Sequence, residues 1–115
     1  MISRELYDQT HHFVILDLAV QTVQADLHRF SMMRLSFLLT PMLEKVLKTL
    51  LDVYYPMKRS LRKQQIEIVR WTSVDGYFSD VTLRTAGEDL TMRYAKRVLK
   101  QEVERLIEGA WKNTI

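Results

Sequence analysis

Residues 66–84 decide the fold, and they read IEIVRWTSVDGYFSDVTLR. Apolar and polar side chains alternate on both sides of Asp75-Gly76, the dipeptide that best tolerates the two positive φ angles of a type I′ turn. The stretch therefore predicts an antiparallel β-hairpin with a two-residue turn. In that register Val74 lies opposite Tyr77, and each further pair follows from it.

The predicted register is supported by the residue pairs that it creates, because it places apolar side chains on one face of the hairpin and a pair of opposite charges on the other. It sets Glu67 directly across from Arg84, which is a favourable cross-strand pair. Arg70 falls on the apolar face and needs an edge position or a carboxylate. The apolar face collects Ile66, Ile68, Val74, Tyr77, Val81 and Leu83.

The chain before the hairpin begins with a long amphipathic helix. Ser3 is the expected N-cap, and the helix is expected to end near Phe30. Asp17 and Asp26 fall on its polar side. A second apolar stripe widens the buried face, so contact from two sides is expected. The main stripe repeats at steps of three and four through Leu6, Phe13, Leu16, Val20, Val23, Leu27 and Phe30.

A second helix follows, and its boundaries are less defined by the pattern. Ser31 is a candidate N-cap, and Thr40-Pro41 marks either a kink or a fresh start. The apolar repeat passes through Pro56 without losing phase, which predicts a kink near Val53 and an end close to Lys63. A break at Pro56 is the alternative.

The segment after the hairpin predicts a last helix. Residues 85–87 turn the chain, and Glu88 and Asp89 suit a first helical turn, where the helix dipole favours acids. The expected fold class is α+β and mainly helical, in the order α-α-β-β-α, with three amphipathic helices packed against one antiparallel β-hairpin. The last helix is expected to bury Met92, Ala95, Leu99, Val103, Leu106 and Ala110.

Composition limits the classes of protein that fit. The chain has 115 residues, no cysteine and 47% hydrophobic residues, which suits one globular domain over residues 1–115. Without cysteine, disulfides, thiolate catalysis and cysteine-ligated zinc are excluded. No signal peptide or membrane-spanning run is recognised, so we expect a cytoplasmic protein without a membrane partner.

The sequence offers no recognisable catalytic motif. The three glycines are isolated, so no phosphate-binding loop is present. Asp8 lies one helical turn from His11 and His12, which is a weak metal-site pattern, and a surface Asp–His pair is the preferred interpretation. We therefore expect a protein that is not an enzyme, with no catalytic residues, cofactor or metal.

Basic residues are concentrated in the second half of the chain. Residues 56–100 carry ten basic and five acidic side chains, although the net charge of the whole chain is only +3. They are interpreted as a solvated face, as a contact for an acidic partner, or as a nucleic-acid surface with stacking from Trp71, Tyr77 and Phe78. The candidate binding residues are Lys58, Arg59, Arg62, Lys63, Arg93, Arg97 and Lys100.

Self-association is the other functional indication. The wide face of the first helix, followed by Met32, Met33, Phe37, Leu38 and Leu39, exceeds what the other elements are expected to bury. A homodimer through the first helix would bury this excess, and a monomeric core that closes over all of it is the alternative. The sequence thus predicts a small adaptor or regulatory domain, homodimeric, that contacts an acidic protein surface through its basic second half. The alternative is a nucleic-acid-binding protein that uses residues 58–63 and 93–100.

Overall fold

The computed structural model of the chain describes residues 2–114. Three helices and a three-stranded antiparallel sheet follow in the order α-α-β-β-β-α, so the fold is α+β and mainly helical, as predicted. Within the sheet the strands lie in the order β1-β2-β3. The elements are α1 (Arg4–Phe30), α2 (Ser36–Lys63), β1 (Glu67–Ser73), β2 (Phe78–Arg84), β3 (Leu90–Ala95) and α3 (Lys96–Thr114).

The third strand corrects the prediction for the segment after the hairpin. Glu88 and Asp89 lie in an exposed loop, not in a helix, and α3 begins only at Lys96. Met92 pairs with Val81 of β2 and is buried as a strand residue. Met92 and Ala95 are three positions apart, which fits one face of a helix, but both belong to β3. In a strand, alternate residues face the core, so the helical spacing is a coincidence.

The hairpin itself is confirmed, but its register changes along its length. Glu67 pairs with Arg84 as predicted, and Ile68 pairs with Leu83. A β-bulge then inserts one extra residue before Arg70, so that Trp71 lies opposite Val81. Because of the bulge, Arg70 is exposed and does not face the core, whereas Trp71 packs against it.

The turn of the hairpin is not the predicted type I′ turn. Four residues, 74–77, connect the strands, and Gly76 does not have a positive φ. The carboxylate of Asp75 accepts hydrogen bonds from the backbone N–H groups of Tyr77 at 2.7 Å and Phe78 at 2.9 Å. These two bonds hold the pKa of Asp75 below its usual range. The side chain of Asp75 therefore organises the turn.

The two long helices pair along their length. The side chain of Ser3 caps α1 as predicted, accepting from the N–H of Leu6 at 3.1 Å. Ser31 was a candidate N-cap for the second helix, but it is the C-cap of α1, so that prediction is wrong. From Ser36, α2 continues through Pro41 and Pro56 without a break and ends at Lys63, close to the predicted end.

The end of α2 turns directly into β1 through a Schellman motif. The N–H of Gln65 donates to the carbonyl of Arg62, and the N–H of Ile66 donates to the carbonyl of Leu61. Gln65 has a φ of 63°, in the left-handed region. Ile66 and Leu61 are both buried in one apolar cluster, which completes the motif.

The core has two buried clusters that meet at half-buried side chains. One joins the three helices, and the other lies between the sheet, α1 and the end of α2. The wide apolar face of α1 is thus covered from both sides. In contrast, no residue between Gln24 and Lys45 is buried. Leu27 packs against the helical cluster, and the rest of the connected ends of α1 and α2 lies outside the core, in a molecule with principal extents of 49 × 32 × 20 Å.

Candidate functional site: a polar cleft, two basic segments and an apolar tip

Asp17 is a buried carboxylate at the junction of three elements. It lies in α1 and is only 8% exposed. The prediction that Asp17 lies on the polar side of the helix is therefore wrong. It accepts hydrogen bonds from Gln21 Nε2 at 2.6 Å, from the Tyr54 hydroxyl at 2.9 Å and from Trp71 Nε1 at 3.3 Å. The carboxylate thereby links α1 to α2 and to the edge strand β1.

Tyr54 is held by Asp17 on one side and by an aromatic ring on the other. Its ring stacks on Phe13, with the ring centroids 5.2 Å apart. Burial, followed by the negative charge of Asp17 and its hydrogen bond, raises the pKa of Tyr54 to about 12. The hydroxyl is therefore a neutral donor to Asp17 throughout the physiological pH range.

A cleft of about 500 Å³ lies above this network, between α1, α2 and the edge of β1. Asp17 and Trp71 line it, and Lys58, Arg62 and Arg70 line it too. The Lys58 ammonium lies 5.8 Å from the centroid of the Tyr54 ring. Glu67 lines the cleft as well and pairs with Arg62, which leaves Lys58 and Arg70 as the cations of its rim. The cleft thus combines a buried carboxylate with a cationic rim of Lys58 and Arg70, and we call it the α2–β1 cleft.

The predicted basic residues divide between two places. Arg62 reaches Glu67 at 3.1 Å, and Glu67 also faces Arg84 at 3.9 Å. At the other end of β1, Lys96 Nζ donates to the hydroxyl of Ser73 at 2.6 Å. The two ends of this seven-residue strand are about 20 Å apart. The α2–β1 cleft contains Lys58 and Arg62. Lys100 lies beside Lys96 in a separate groove. The remaining candidates are exposed on the helices, and these are Arg59, Lys63 and Arg97.

Arg93 is the candidate most fully engaged within the chain. Its guanidinium pairs with Asp80 of β2 through two hydrogen bonds, Nε at 2.8 Å and a terminal nitrogen at 3.1 Å. Through this pairing the pKa of Asp80 falls below its usual value and that of Arg93 rises. Arg93 therefore holds two strands together and offers little charge to a partner.

The aromatic residues of the hairpin also separate. Tyr77 is 77% exposed and Phe78 is partly exposed. Trp71 is half-buried against both core clusters. The three rings therefore do not form one stacking platform.

The connection between α1 and α2 carries an exposed apolar surface, which we call the apolar tip. Its seven large side chains are between 39% and 76% exposed, although all lie within eleven consecutive residues. The sequence analysis had already identified excess apolar surface here, on five of these side chains: Met32, Met33, Phe37, Leu38 and Leu39. The apolar tip consists of Met32, Met33, Leu35, Phe37, Leu38, Leu39 and Met42.

The histidine pattern near the start of α1 serves the packing of α1 on the sheet. His11 Nδ1 lies 2.8 Å from the hydroxyl of Tyr94 in β3, and the two rings stack with centroids 5.5 Å apart. Burial raises the pKa of Tyr94. The partner of His11 is thus Tyr94 and not Asp8. Behind it, His12 helps line a mainly apolar groove of about 360 Å³ between the three helices.

Asp17, Tyr54 and Arg70 are the cleft residues that sequence reasoning did not select. One signal was present, because Asp17 interrupts the longest apolar run of the chain, residues 13–20. A carboxylate inside such a run is either at a helix face or paired in the interior. For Tyr54 the sequence carries no comparable signal. Arg70 was noted as a charge on the predicted apolar face, but the bulge that exposes it beside the cleft was not predicted.

Across residues 2–114, no helix combines the length and apolar character needed to cross a bilayer.

Comparison with known proteins gives a match to a family model. Searches of curated proteins and of solved structures found no match. The model of one family, described as YhjD protein, matches residues 1–114, nearly the whole sequence. The chain therefore belongs to the YhjD protein family.

Proposed function

We propose that this chain is a non-enzymatic interaction domain that forms a homodimer through its apolar tip and contacts an acidic partner through its basic second half. The observation that carries the proposal is the exposure of seven large apolar side chains between Met32 and Met42. A patch of this kind on a small protein is typical of a protein contact surface.

The size of the apolar tip suits a second copy of the chain. Added together, the exposed fractions equal roughly four complete side chains. A stable interface buries about 800 Å² on each partner and has an apolar centre surrounded by a polar rim. Apolar surface equal to about four side chains suits the centre of such an interface.

The shape of the tip also favours a two-fold contact. It is formed by two antiparallel helix ends that extend beyond the core, from Gln24 to Lys45. Two such ends, placed side by side, form four packed helices with the same residues on each side. The dimer contact therefore differs from the one expected from the sequence, which used the face of α1 that is buried within the chain.

The absence of cysteine from the native sequence makes the dimer directly testable. Single cysteines are placed at Leu35, Phe37, Leu38 and Leu39, and each variant is oxidised mildly at low protein concentration. A residue close to its own two-fold mate forms a disulfide when the two Cα atoms lie within about 7 Å. We expect at least one of these variants to give a covalent dimer. Val98→Cys, at an exposed apolar position of α3, is the matched control.

Light scattering with size-exclusion chromatography provides the second measurement. The unmodified chain should elute with twice the mass of one chain, and Phe37→Glu combined with Leu38→Glu should give one mass. Val98→Glu should leave the dimer intact. A monomer at high protein concentration, with no more cross-linking at the tip than at Val98, would overturn the dimer.

The acidic partner is supported by the exposed cations that have no ion pair within residues 2–114. Among the candidate binding residues, these include Arg59 and Lys63 on α2, and Arg97 and Lys100 on α3. Nucleic acid is the alternative occupant, although the two segments contact opposite ends of β1. A polyglutamate peptide, DNA and RNA should be titrated at two salt concentrations. Glutamine at the two α2 positions and, separately, at the two α3 positions would show which segment binds.

The titration distinguishes the two partners. Preference for polyglutamate supports the acidic protein partner. A steep loss of DNA or RNA affinity with salt, equal for both segment variants, supports nucleic acid. Binding of neither polyanion at low salt would remove the role of the basic half.

A further inference from the structure

We infer that the α2–β1 cleft binds a small zwitterion, with its ammonium group at Asp17 and its acidic group at the cationic rim. This inference is independent of the proposed dimer, since the apolar tip and the cleft share no residue. It rests on the charge of Asp17, on the rim, and on the size and walls of the cleft.

The carboxylate at the floor lacks a positive partner. Its three hydrogen-bond donors, on Gln21, Tyr54 and Trp71, are all neutral. Among the ion pairs of residues 2–114, none includes Asp17. A carboxylate offers about four acceptor positions, so Oδ1, which accepts only from Tyr54, has room for one more donor. A ligand ammonium would supply both that donor and the missing positive charge.

The rim has the opposite character. Arg70 is exposed because the bulge turns it away from the core, and it has no ion pair within residues 2–114. Lys58 lies against the Tyr54 ring and does not pair with Asp17. Glu67 also lines the cleft, but its carboxylate is paired with Arg62. A purely cationic ligand would be repelled by Lys58 and Arg70. A carboxylate or phosphate on the same molecule would instead be attracted to them.

The walls and volume define the rest of the ligand. The cleft of about 500 Å³ is within the range of about 300–1,000 Å³ found for small-molecule sites. Phe13, Tyr54 and Trp71 supply aromatic surface, which stabilises both an ammonium group and an apolar side chain. The ligand class that fits all three features is an α-amino acid with a large apolar side chain.

The test follows the indole N–H signals of the two tryptophans by NMR. Trp71 donates directly to Asp17, whereas Trp111 lies outside the cleft and is the internal reference. The probes are L-phenylalanine, phenethylamine, which lacks the carboxylate, and 3-phenylpropionate, which lacks the ammonium. We expect L-phenylalanine to shift the Trp71 signal saturably, with a Kd at or below about 1 mM. Each half-molecule should bind at least tenfold more weakly.

Two variants separate the two ends of the ligand. Arg70→Gln changes an exposed residue and should lower the affinity for L-phenylalanine about tenfold. The affinity for phenethylamine, which the arginine repels, should stay the same or rise. Asp17→Asn should abolish the advantage of L-phenylalanine over 3-phenylpropionate. Arg4→Gln, at an exposed arginine outside the cleft, is the control and should change neither.

Three results would overturn the inference. The first is no Trp71 shift with any probe at about 10 mM. The second is binding of either half-molecule as tight as that of L-phenylalanine. The third is an equal effect of Arg70→Gln and Arg4→Gln. Because Arg70→Gln leaves the core untouched, its outcome holds even if Asp17→Asn unfolds the chain.

Discussion

The hydroxyl of Tyr54 in α2 donates to the carboxylate of Asp17 in α1 across 2.9 Å. Trp71 of β1 donates to the same carboxylate, so one buried charge connects three elements that are far apart in the sequence. Apolar packing is tolerant of small shifts, whereas hydrogen bonds require particular distances and directions. The Asp17 network therefore sets how the sheet edge lies against the two long helices.

Replacement of Asp17 by alanine should destabilise the fold. The change leaves the Tyr54 and Trp71 donors without their acceptor, and we expect a loss of about 2–4 kcal/mol in the free energy of unfolding. Urea denaturation measures the loss. Asp8→Ala, at an exposed acid of the same helix, should change the stability by less than about 0.5 kcal/mol. Equal effects of the two changes would show that the network adds no stability.

The network also predicts a loss of stability in alkali. The pKa of Tyr54 is raised from 10.0 to about 12 in the folded chain, so folding favours the protonated phenol. The resulting stability is complete below about pH 10 and decreases as the pH rises towards 12. A shift of this size corresponds to at most about 2.7 kcal/mol, and solvent screening of the partly exposed ring reduces it to about 1 kcal/mol.

Tyr54→Phe isolates this contribution from other groups that titrate in alkali. The stability advantage of the unmodified chain over Tyr54→Phe should be constant up to about pH 9 and should shrink by about pH 11. Urea denaturation at a series of pH values measures it. An advantage that stays constant over that range would contradict the raised pKa.

The junction of α2 and β1 offers a stabilising change. Gln65 has a φ of 63°, a conformation that costs a side chain about 1 kcal/mol relative to glycine. Gln65→Gly should therefore raise the free energy of unfolding by about 0.5–1 kcal/mol. The neighbouring Gln64, with a φ of −94°, is the control, and Gln64→Gly should be neutral or destabilising. A lower stability for Gln65→Gly would argue against the left-handed conformation.

Charge exchange tests the register of the hairpin. Glu67 faces both Arg84 and Arg62, so Glu67→Arg should destabilise more than Arg84→Glu. Each effect should be below about 1 kcal/mol, because the side chains are partly exposed. The double exchange should restore only part of the loss, since Arg62 would then face an arginine at position 67. Thermal denaturation of the four chains gives the coupling, and strictly additive effects would indicate that the residues do not interact.

Features that depend on neighbouring residues were predictable. The Ser3 cap, the end of α2 near Lys63 and the Glu67–Arg84 pair all follow from capping chemistry, helical spacing and strand alternation. The hairpin was predicted even though its turn was not, because its apolar alternation is strong enough to pair the strands with any short connection. Excess apolar surface after the first helix was also visible in the composition of residues 32–39.

Features that depend on distant residues were not predictable in the same way. Residues 90–95 fit both a helix and a strand, and pairing with β2 selected the strand. The bulge before Arg70 places Trp71 in the core, where Asp17 accepts its indole N–H. Each of these outcomes depends on which element packs beside the residue, which a single segment does not encode.

The sequence by itself determined the fold class, the hairpin and the exclusion of cysteine chemistry, because these depend on composition and on periodicity within a few turns or strands. Only the tertiary structure decided that Asp17 is buried, that the basic residues divide between the two ends of β1, and that the apolar tip lies outside the core. The physical reason is that burial and charge proximity depend on the packing of whole elements, and packing joins residues 37 and 54 positions apart around one carboxylate.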